Sequence, residues 1–325
     1  MSQLRSFYVC LLVSCTVIAP CLCLAESELE YAFILKGRGN PYWQAAVQGI
    51  EETATDLRIS HKVFQISSDI AAEEQLNLCL SVIAMKPKMI AISAVTPAVG
   101  LQCMKQAMRA NVRVADLDSN VTPAEAASAG VPLAFSVGSD NYLVGKSAAD
   151  YLASVTKTPN PKILVLEGAV GSVPGQGRVR GFVDRLRELL PQAQQVASVS
   201  AEWDRLKGMN VTNDILQREP ELEFVYAAND MMALGAVEAV RVAGLMGKVQ
   251  VIGVDGTPDA RKAIEEGKLL ASVAQLPYLI GKRSVEKSVQ VIKGETTEVI
   301  EKTPTPVLHR QLLAANTDPL LRYVR

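Results

Sequence analysis

A chain of 325 residues is long enough for two domains of ordinary size and too short for many. Its composition, 49% apolar with only 5% aromatic residues, is that of a globular α/β protein. With 33 basic against 34 acidic side chains the charge balance gives no reason to expect nucleic acid or an anionic membrane, and two histidines, His61 and His309, exclude a histidine-rich metal site.

Residues 1–25 read as a targeting segment, with Arg5 in a short n-region, an apolar core from Phe7 to Ala19, and a small-x-small end at Cys23-Leu24-Ala25. Pro20 before Cys21 and Leu22 before Cys23 match a lipoprotein cleavage site poorly. A freely soluble exported protein is therefore favoured over a lipid-anchored one. No later stretch has the apolar length to span a bilayer. Of six cysteines only Cys79 and Cys103 remain in the mature chain. A disulfide is open to them in an oxidising compartment, but two buried free thiols are the favoured expectation, because nothing in the sequence fixes their separation.

The first strand, Tyr31 to Leu35, is continuously apolar, as a strand buried on both faces of a parallel sheet requires. Gly37 and Gly39 turn the chain, Asn40-Pro41 starts a helix, and Tyr42-Trp43 place two rings in its first turn. Those rings, beside Lys36 and Asn40, read two ways: a helix start packed on a loop, or a face for a ligand that is part ring and part hydroxyl. The pattern then repeats. Helix 41–57, strand 61–67, helix 71–85, strand 89–95, helix 97–109 and strand 112–118 are followed by a longer loop, 119–132, then strand 133–137 and a helix to about residue 155. Thr156 to Pro161 punctuates the chain, and the alternation restarts. Strand 163–166, a glycine-rich loop 168–177, a helix to 190, strand 195–200, helix 204–218, strand 224–228 and helix 231–243 come next. Strand 249–254, a short helix 259–266, strand 270–275 and helix 279–293 complete it. Such alternation predicts an α/β fold of two Rossmann-like, doubly wound parallel-sheet lobes with a cleft between them.

Open α/β sheets receive ligands at the carboxyl ends of their strands. Those ends carry Lys36, Asn40, Tyr42, Trp43, Asp118, Asp140 and Asn141 in the first half. In the second half they carry Trp203, Asn229-Asp230, Asp255 and Gln275, with Arg178 and Arg180 behind the glycine-rich loop. Forked carboxylates, amides and guanidinium hold adjacent hydroxyls in pairs, and charged partners strengthen those bonds.

Asn40-Pro-Tyr-Trp43, Ala201-Glu-Trp-Asp-Arg205, Ala228-Asn-Asp-Met-Met-Ala-Leu-Gly235, Val254-Asp-Gly-Thr-Pro-Asp259 and Ala274-Gln-Leu-Pro277 occur in the order of a known family. From Tyr31 to Gln311 the chain resembles the periplasmic sugar-binding proteins of the ribose and D-allose type, receptors for ABC importers with the type I periplasmic binding protein fold. The resemblance implies that Asn40, Asp118, Arg178, Asn229, Asp255 and Gln275 hydrogen-bond a sugar and that Tyr42, Trp43 and Trp203 sandwich its ring. Lys36 matches the allose-like branch. Ser119 departs from both branches, which place arginine or glutamate there, so the choice of sugar rests on Lys36 and Ser119. It also implies three chain crossings, near Ser139, Gln275 and 302–306, about which the lobes close. Residues 26–139 plus 276–303 would form the N-terminal lobe and 140–275 plus 304–325 the C-terminal one. The tail 314–325 runs beyond the family's usual end.

The expectation is thus a non-enzymatic, monomeric periplasmic receptor, without metal or cofactor, that delivers a pentose or hexose to an ABC permease. Presenting it to a chemoreceptor or sensor kinase is the alternative. Other motifs are weaker. Gly145-Lys-Ser147 resembles the end of a phosphate loop, but Asp140 stands where that motif needs glycine. Residues 168–177 lack the dinucleotide spacing, and Ser284-Val-Glu-Lys287 lies mid-helix without the other parts of a nucleophile site. Asp118 and Asp255 pairing as a glycosidase acid and base is the lesser reading, since hydroxyl binding accounts for both. Asn120 and Asn210 head sequons that matter only in a eukaryotic secretory pathway. A repressor of the same fold would need a DNA-reading domain where the targeting segment stands.

Overall fold

Strand and helix alternate almost without interruption through residues 29–118 and 120–324, the part of the chain that the computed structural model describes. The expected targeting segment 1–25 and Ser119 lie outside the described residues. The order is β1 (Tyr31–Leu35), α1 (Pro41–Asp56), β2 (His61–Gln65), α2 (Ala72–Ala84), β3 (Met89–Ile92), α3 (Pro97–Arg109), β4 (Arg113–Leu117), α4 (Pro123–Ser128) and β5 (Leu133–Ser139). Then come α5 (Asn141–Val155), β6 (Lys162–Glu167), α6 (Val173–Leu189), β7 (Gln194–Ser200), α7 (Arg205–Arg218), β8 (Phe224–Ala227), α8 (Asp230–Val242) and β9 (Gln250–Asp255). The last elements are α9 (Pro258–Glu265), β10 (Ala271–Ala274), α10 (Pro277–Ile292), β11 (Ile300–Thr303), β12 (Val307–His309) and α11 (Arg310–Ala315).

Two six-stranded sheets result, ordered β11-β5-β4-β3-β1-β2 and β12-β10-β9-β8-β6-β7. All pairings are parallel except that of β12 with β10. Helices cover both faces, and each sheet carries an apolar cluster on either side, so the inner strands are buried along most of their length, as their sequences require. The chain passes from one sheet to the other three times, after β5, after β10 and between β11 and β12. The crossings touch one another: Ser139 Oγ lies 3.5 Å from the Gln275 carbonyl and 3.4 Å from Thr303 Oγ1, which is 3.3 Å from the same carbonyl.

Helix starts carry side-chain caps at Asn40, Thr96, Asp140, Ser172, Asp204, Asn229 and Thr257, each worth about 1 kcal/mol. Gly145 has a packing role. A Cβ there would stand 2.0 Å from the Arg178 carbonyl, and one on Gly181 2.0 Å from that of Tyr142. Mutual glycines thus let α5 and α6 cross closely, which sets where Arg178 leaves α6.

Four expectations need correction or extension. Cys79 and Cys103 are not free thiols but a disulfide, with Cα atoms 5.9 Å apart, because α2 and α3 lie side by side on the same face of the sheet. The loop 119–132 contains α4, nucleated by a capping box in which Thr122 and Glu125 cap each other. Strands β2 and β3 stop two to three residues early because side chains take over the backbone donors: Glu74 accepts from Ser67 N–H and Gln75 from Val95 N–H. The tail forms a 3-10 turn, Pro319–Tyr323, whose Leu320, Leu321 and Tyr323, with Val324, pack on the apolar cluster beside α8 and α9. Tyr323 also stacks on Tyr278 at the start of α10, ring centroids 6.3 Å apart.

Candidate functional site

Between the carboxyl ends of the two sheets lies a cavity lined by Lys36, Asn40, Tyr42, Trp43, Asp69, Asp118, Ser172, Pro174, Arg178, Trp203, Asn229 and Asp255. Nine of the eleven residues that the resemblance ties to the sugar or its choice stand in this wall. Gln275 stands one layer behind, fully buried, and Ser119 is outside the described residues. A wider vestibule shares Asn40, Asp69 and Trp203 and leads outward.

In the N-terminal jaw the helix start is wired to a residue that strand-end reading passed over. Asp69, in the loop after β2, accepts hydrogen bonds from Gly37 N–H (2.8 Å), Asn40 Nδ2 (2.7 Å) and Trp43 Nε1 (2.8 Å). Asn40 Oδ1 caps α1 by accepting from Tyr42 N–H at 3.0 Å, so both polar atoms of this amide already have protein partners. Tyr42 meets Trp43 edge to face, centroids 4.7 Å apart, and donates its hydroxyl to Asp118 Oδ1 at 2.8 Å. Burial first, then the neighbouring Asp118 charge, raises the Tyr42 pKa well above the phenol range, so the hydroxyl keeps its proton.

Lys36 is 7% exposed. Its ammonium donates to Asn120 Oδ1 at 3.0 Å and lies 3.8 Å from Asp118 Oδ2 and 5.3 Å from the Trp43 ring centroid. Burial lowers its pKa, and the Asp118 charge only partly offsets this.

The C-terminal jaw is built on Arg178. Its Nε donates to Asn141 Oδ1 (2.9 Å), one terminal nitrogen to the Ala228 carbonyl (2.7 Å) and the other to Gln275 Oε1 (2.9 Å). Asp255 Oδ1 lies 3.6 Å from the guanidinium and accepts from Gln275 Nε2 at 2.6 Å. Burial raises the Asp255 pKa well above the usual range, and Arg178 opposes that shift without cancelling it. Trp203 packs its ring over Gly168, where a Cβ would come within 2.0 Å of it, and Arg178 lies 5.5 Å from the ring centroid. Asn229 caps α8 and turns its amide to the Trp203 carbonyl at 3.5 Å.

Three non-glycine residues of this wall sit at positive φ: Asp118 (66°), Trp203 (64°) and Asp255 (122°). Such backbone is costly, roughly 1–3 kcal/mol each, and persists at sites the surroundings over-determine. The other strand-end residues are supports. Asp140 caps α5, Asn141 holds Arg178, and Arg180 lies over the Tyr142 ring, outside the cavity wall. Asp230 accepts from Thr257 N–H, Thr257 Oγ1 and Ser272 Oγ. Among the described residues no group of three or more His, Cys, Asp or Glu side chains is placed to hold a metal ion.

Two sheets with three crossings, and two polar jaws each carrying a ring, define a two-lobed solute receptor. Residues 31–296 match the periplasmic binding protein domain model, and the chain belongs to that family, in its ribose and D-allose-binding branch. It is 32% identical over 280 residues to the D-allose-binding periplasmic protein of Escherichia coli K12, covering 86% of this chain and 90% of that protein. To the ribose import binding protein RbsB of the same organism it is 33% identical over 298 residues, 92% and 95% of the two chains. An ABC transporter periplasmic solute-binding protein from Actinobacillus succinogenes, solved with bound D-allose, superposes with a TM-score of 0.82 at 30% identity over 88% of this chain and 99% of that one. The family is one of solute receptors, not enzymes.

Proposed function

We propose that the protein is an exported, soluble periplasmic receptor that captures a neutral monosaccharide, a pentose or hexose of the ribose or allose kind, and delivers it to the permease of an ABC importer. The observation that carries this reading is the pairing of charge in the cavity wall. Lys36 faces Asp118 and Arg178 faces Asp255, and the third carboxylate of the wall, Asp69, is taken up by three neutral N–H donors, so each cation meets a carboxylate beside three aromatic rings. Forked groups whose charges are already engaged within the wall suit hydroxyls rather than a sugar acid or amine, whose own charge would find no free partner. A hydroxyl left unpaired in the closed cleft costs about 1–3 kcal/mol, which makes such a wall selective for one hydroxyl pattern.

In this reading the wall residues Lys36, Asn40, Tyr42, Trp43, Asp118, Arg178, Trp203, Asn229 and Asp255 touch the sugar, with Gln275 bracing Arg178 and Asp255. Residues 26–139 plus 276–303 and 140–275 plus 304–325 act as two bodies of one monomer that close over it, and binding energy supplies the shift toward the closed form. Titration of intrinsic tryptophan fluorescence against a panel of monosaccharides tests it, since both tryptophans, Trp43 and Trp203, stand in the wall. At least one pentose or hexose is expected to give a saturable change that Asp255→Ala and Asn229→Ala abolish while the far-ultraviolet spectrum is kept. A silent panel, or unchanged affinity in both variants, would reject the assignment.

A further inference from the structure

We propose that Asp116 is a positioning residue for Lys36 and Asp118 and that it acts through Asn120; the inference rests on the reading of the cavity as a sugar site. Asp116 precedes Asp118 by two residues in β4, is fully buried, and is not part of the cavity wall. Its Oδ1 accepts from the backbone N–H groups of Asn120 (3.1 Å) and Val121 (2.9 Å), and its Oδ2 from Ser136 Oγ (2.8 Å). The strand's own side chain thus draws the following turn back over the strand. That turn is where Asp118 adopts φ +66° and faces the cavity.

Asn120 is gripped at its backbone by this carboxylate and at its side chain from three directions. Its Nδ2 donates to the Leu117 carbonyl (3.0 Å) and Ser93 Oγ (3.2 Å), and its Oδ1 accepts from Lys36 Nζ. A lysine ammonium on a four-carbon stem has many rotamers, and a single fixed acceptor selects among them. The path from Asp116 to Asn120 to Lys36 therefore sets where the cavity's one ammonium stands relative to Asp118 and the Trp43 ring.

A role confined to capping the turn accounts for less. Burial pushes the Asp116 carboxyl up to about 7, and its hydrogen bonds come from two backbone N–H groups and a serine hydroxyl rather than from a cation. A buried carboxylate whose hydrogen bonds all come from neutral groups is costly, and a neutral side chain would serve an ordinary turn more cheaply; the Asp116 charge also favours the ammonium form of Lys36. The C-terminal lobe holds a counterpart. Asp230, also fully buried, accepts from Thr257 N–H (2.8 Å), Thr257 Oγ1 (3.1 Å) and Ser272 Oγ (2.7 Å) beside the turn that carries Asp255. Only the Asp116 device extends to a cation in the wall.

The test is a fluorescence titration with D-allose, D-ribose and a further panel of neutral pentoses and hexoses. The proteins are the wild type, Asp116→Ala, Asp116→Asn, Asn120→Leu, Lys36→Met, and Lys36→Met combined with Asp116→Ala or with Asn120→Leu. Folded Asp116→Ala and Asn120→Leu are expected to bind the wild type's sugar about 10- to 100-fold more weakly, the worth of one charge-assisted hydrogen bond. Asp116→Asn, which keeps an acceptor oxygen for the two N–H groups, is expected to recover most of that loss. Adding either change to Lys36→Met is expected to cost little more than Lys36→Met alone. Additive losses in the combined variants, or unchanged affinity in a folded single variant, would overturn the inference while leaving the receptor reading standing. If Asp116→Ala does not fold, the cycle of Asn120→Leu with Lys36→Met decides it. A wild type that binds none of the sugars overturns the receptor reading and this inference with it.

Discussion

In the N-terminal jaw a lysine ammonium stands 3.8 Å from its carboxylate and is located by one amide oxygen, whereas in the C-terminal jaw a planar guanidinium is held by three acceptors between 2.7 and 2.9 Å. The rings differ in the same way. Trp43 is fixed by a hydrogen bond to Asp69, and Trp203 by glycines that let its ring lie flat on the backbone. One jaw is located by single polar contacts that a substitution can retune, the other by multiple bonds and close packing that it would break. In the proposed reading the difference divides affinity from selectivity: the C-terminal jaw would present a fixed template, and the N-terminal jaw would adjust which hydroxyl pattern is admitted.

The sharpest way to break that comparison is to remove the two cations in turn. Arg178→Ala leaves Asp255 buried without its cation, and the loss is expected to be about 3–5 kcal/mol, seen as no saturable sugar binding and a lower unfolding midpoint. Lys36→Met is expected to cost less and to reorder the sugars by affinity. Equal losses, with the same ranking of sugars, would erase the distinction between the jaws.

The next effect separates the lobes by their crosslink. Cys79–Cys103 bridges 24 residues beneath the N-terminal jaw, and among the described residues the other lobe has no disulfide. Its removal in Cys79→Ala/Cys103→Ala is expected to cost about 3 kcal/mol in urea unfolding, with the N-terminal lobe lost first. A midpoint that does not move would show that packing of α2 on α3 suffices.

The third effect is one of pH. Asp116 is raised to about 7 and Asp230 to about 6, both by burial. A carboxyl with a raised folded pKa binds its proton more tightly when folded. Its stability contribution is therefore complete below the unfolded pKa of about 4 and is lost as pH rises through the folded value, by up to about 1.4 kcal/mol per pH unit. Asp116→Asn is accordingly expected to gain on the wild type as pH rises from 4.5 to 7, and Asp230→Asn over a window ending near 6. Unfolding free energies whose differences stay constant across that range would contradict the sign worked out here. The smallest effect is expected from Trp43→Phe, which keeps a ring but loses the donor to Asp69. About 1 kcal/mol, or roughly fivefold in affinity, is expected by titration, and no change would show that the ring alone matters.

Most of the architecture is legible in the sequence, because continuous apolar strands separated by capped helices leave only a parallel, doubly wound arrangement. The cavity wall is legible for the same reason: a rule about strand ends picks out Lys36, Asp118, Asn229 and Asp255 without coordinates. What escapes is whatever depends on a side chain reaching across sequence. Asp69 sits in Ser67-Ser-Asp-Ile70, which reads as an ordinary polar turn until the segment from Gly37 to Trp43 presents three donors to it. Asp116 lies inside a strand, where only the folded-back turn explains a carboxylate. The pairing of Cys79 with Cys103 depends on the distance between two helices, which no local pattern specifies. The Thr122-to-Glu125 capping box that starts α4 is, by contrast, present in the sequence, within a stretch whose alanines, glycine and prolines read as loop.

Gln275 joins two parts of the molecule in a single residue. Its carbonyl receives contacts from Ser139 and Thr303 where the three crossings meet, while its side chain holds Arg178 and Asp255. In mechanical language the load is applied at the fulcrum. If the lobes close as proposed, a small displacement there would need no relay of intermediate side chains to swing the far rims of both lobes, and the length of the lobes would do the amplifying.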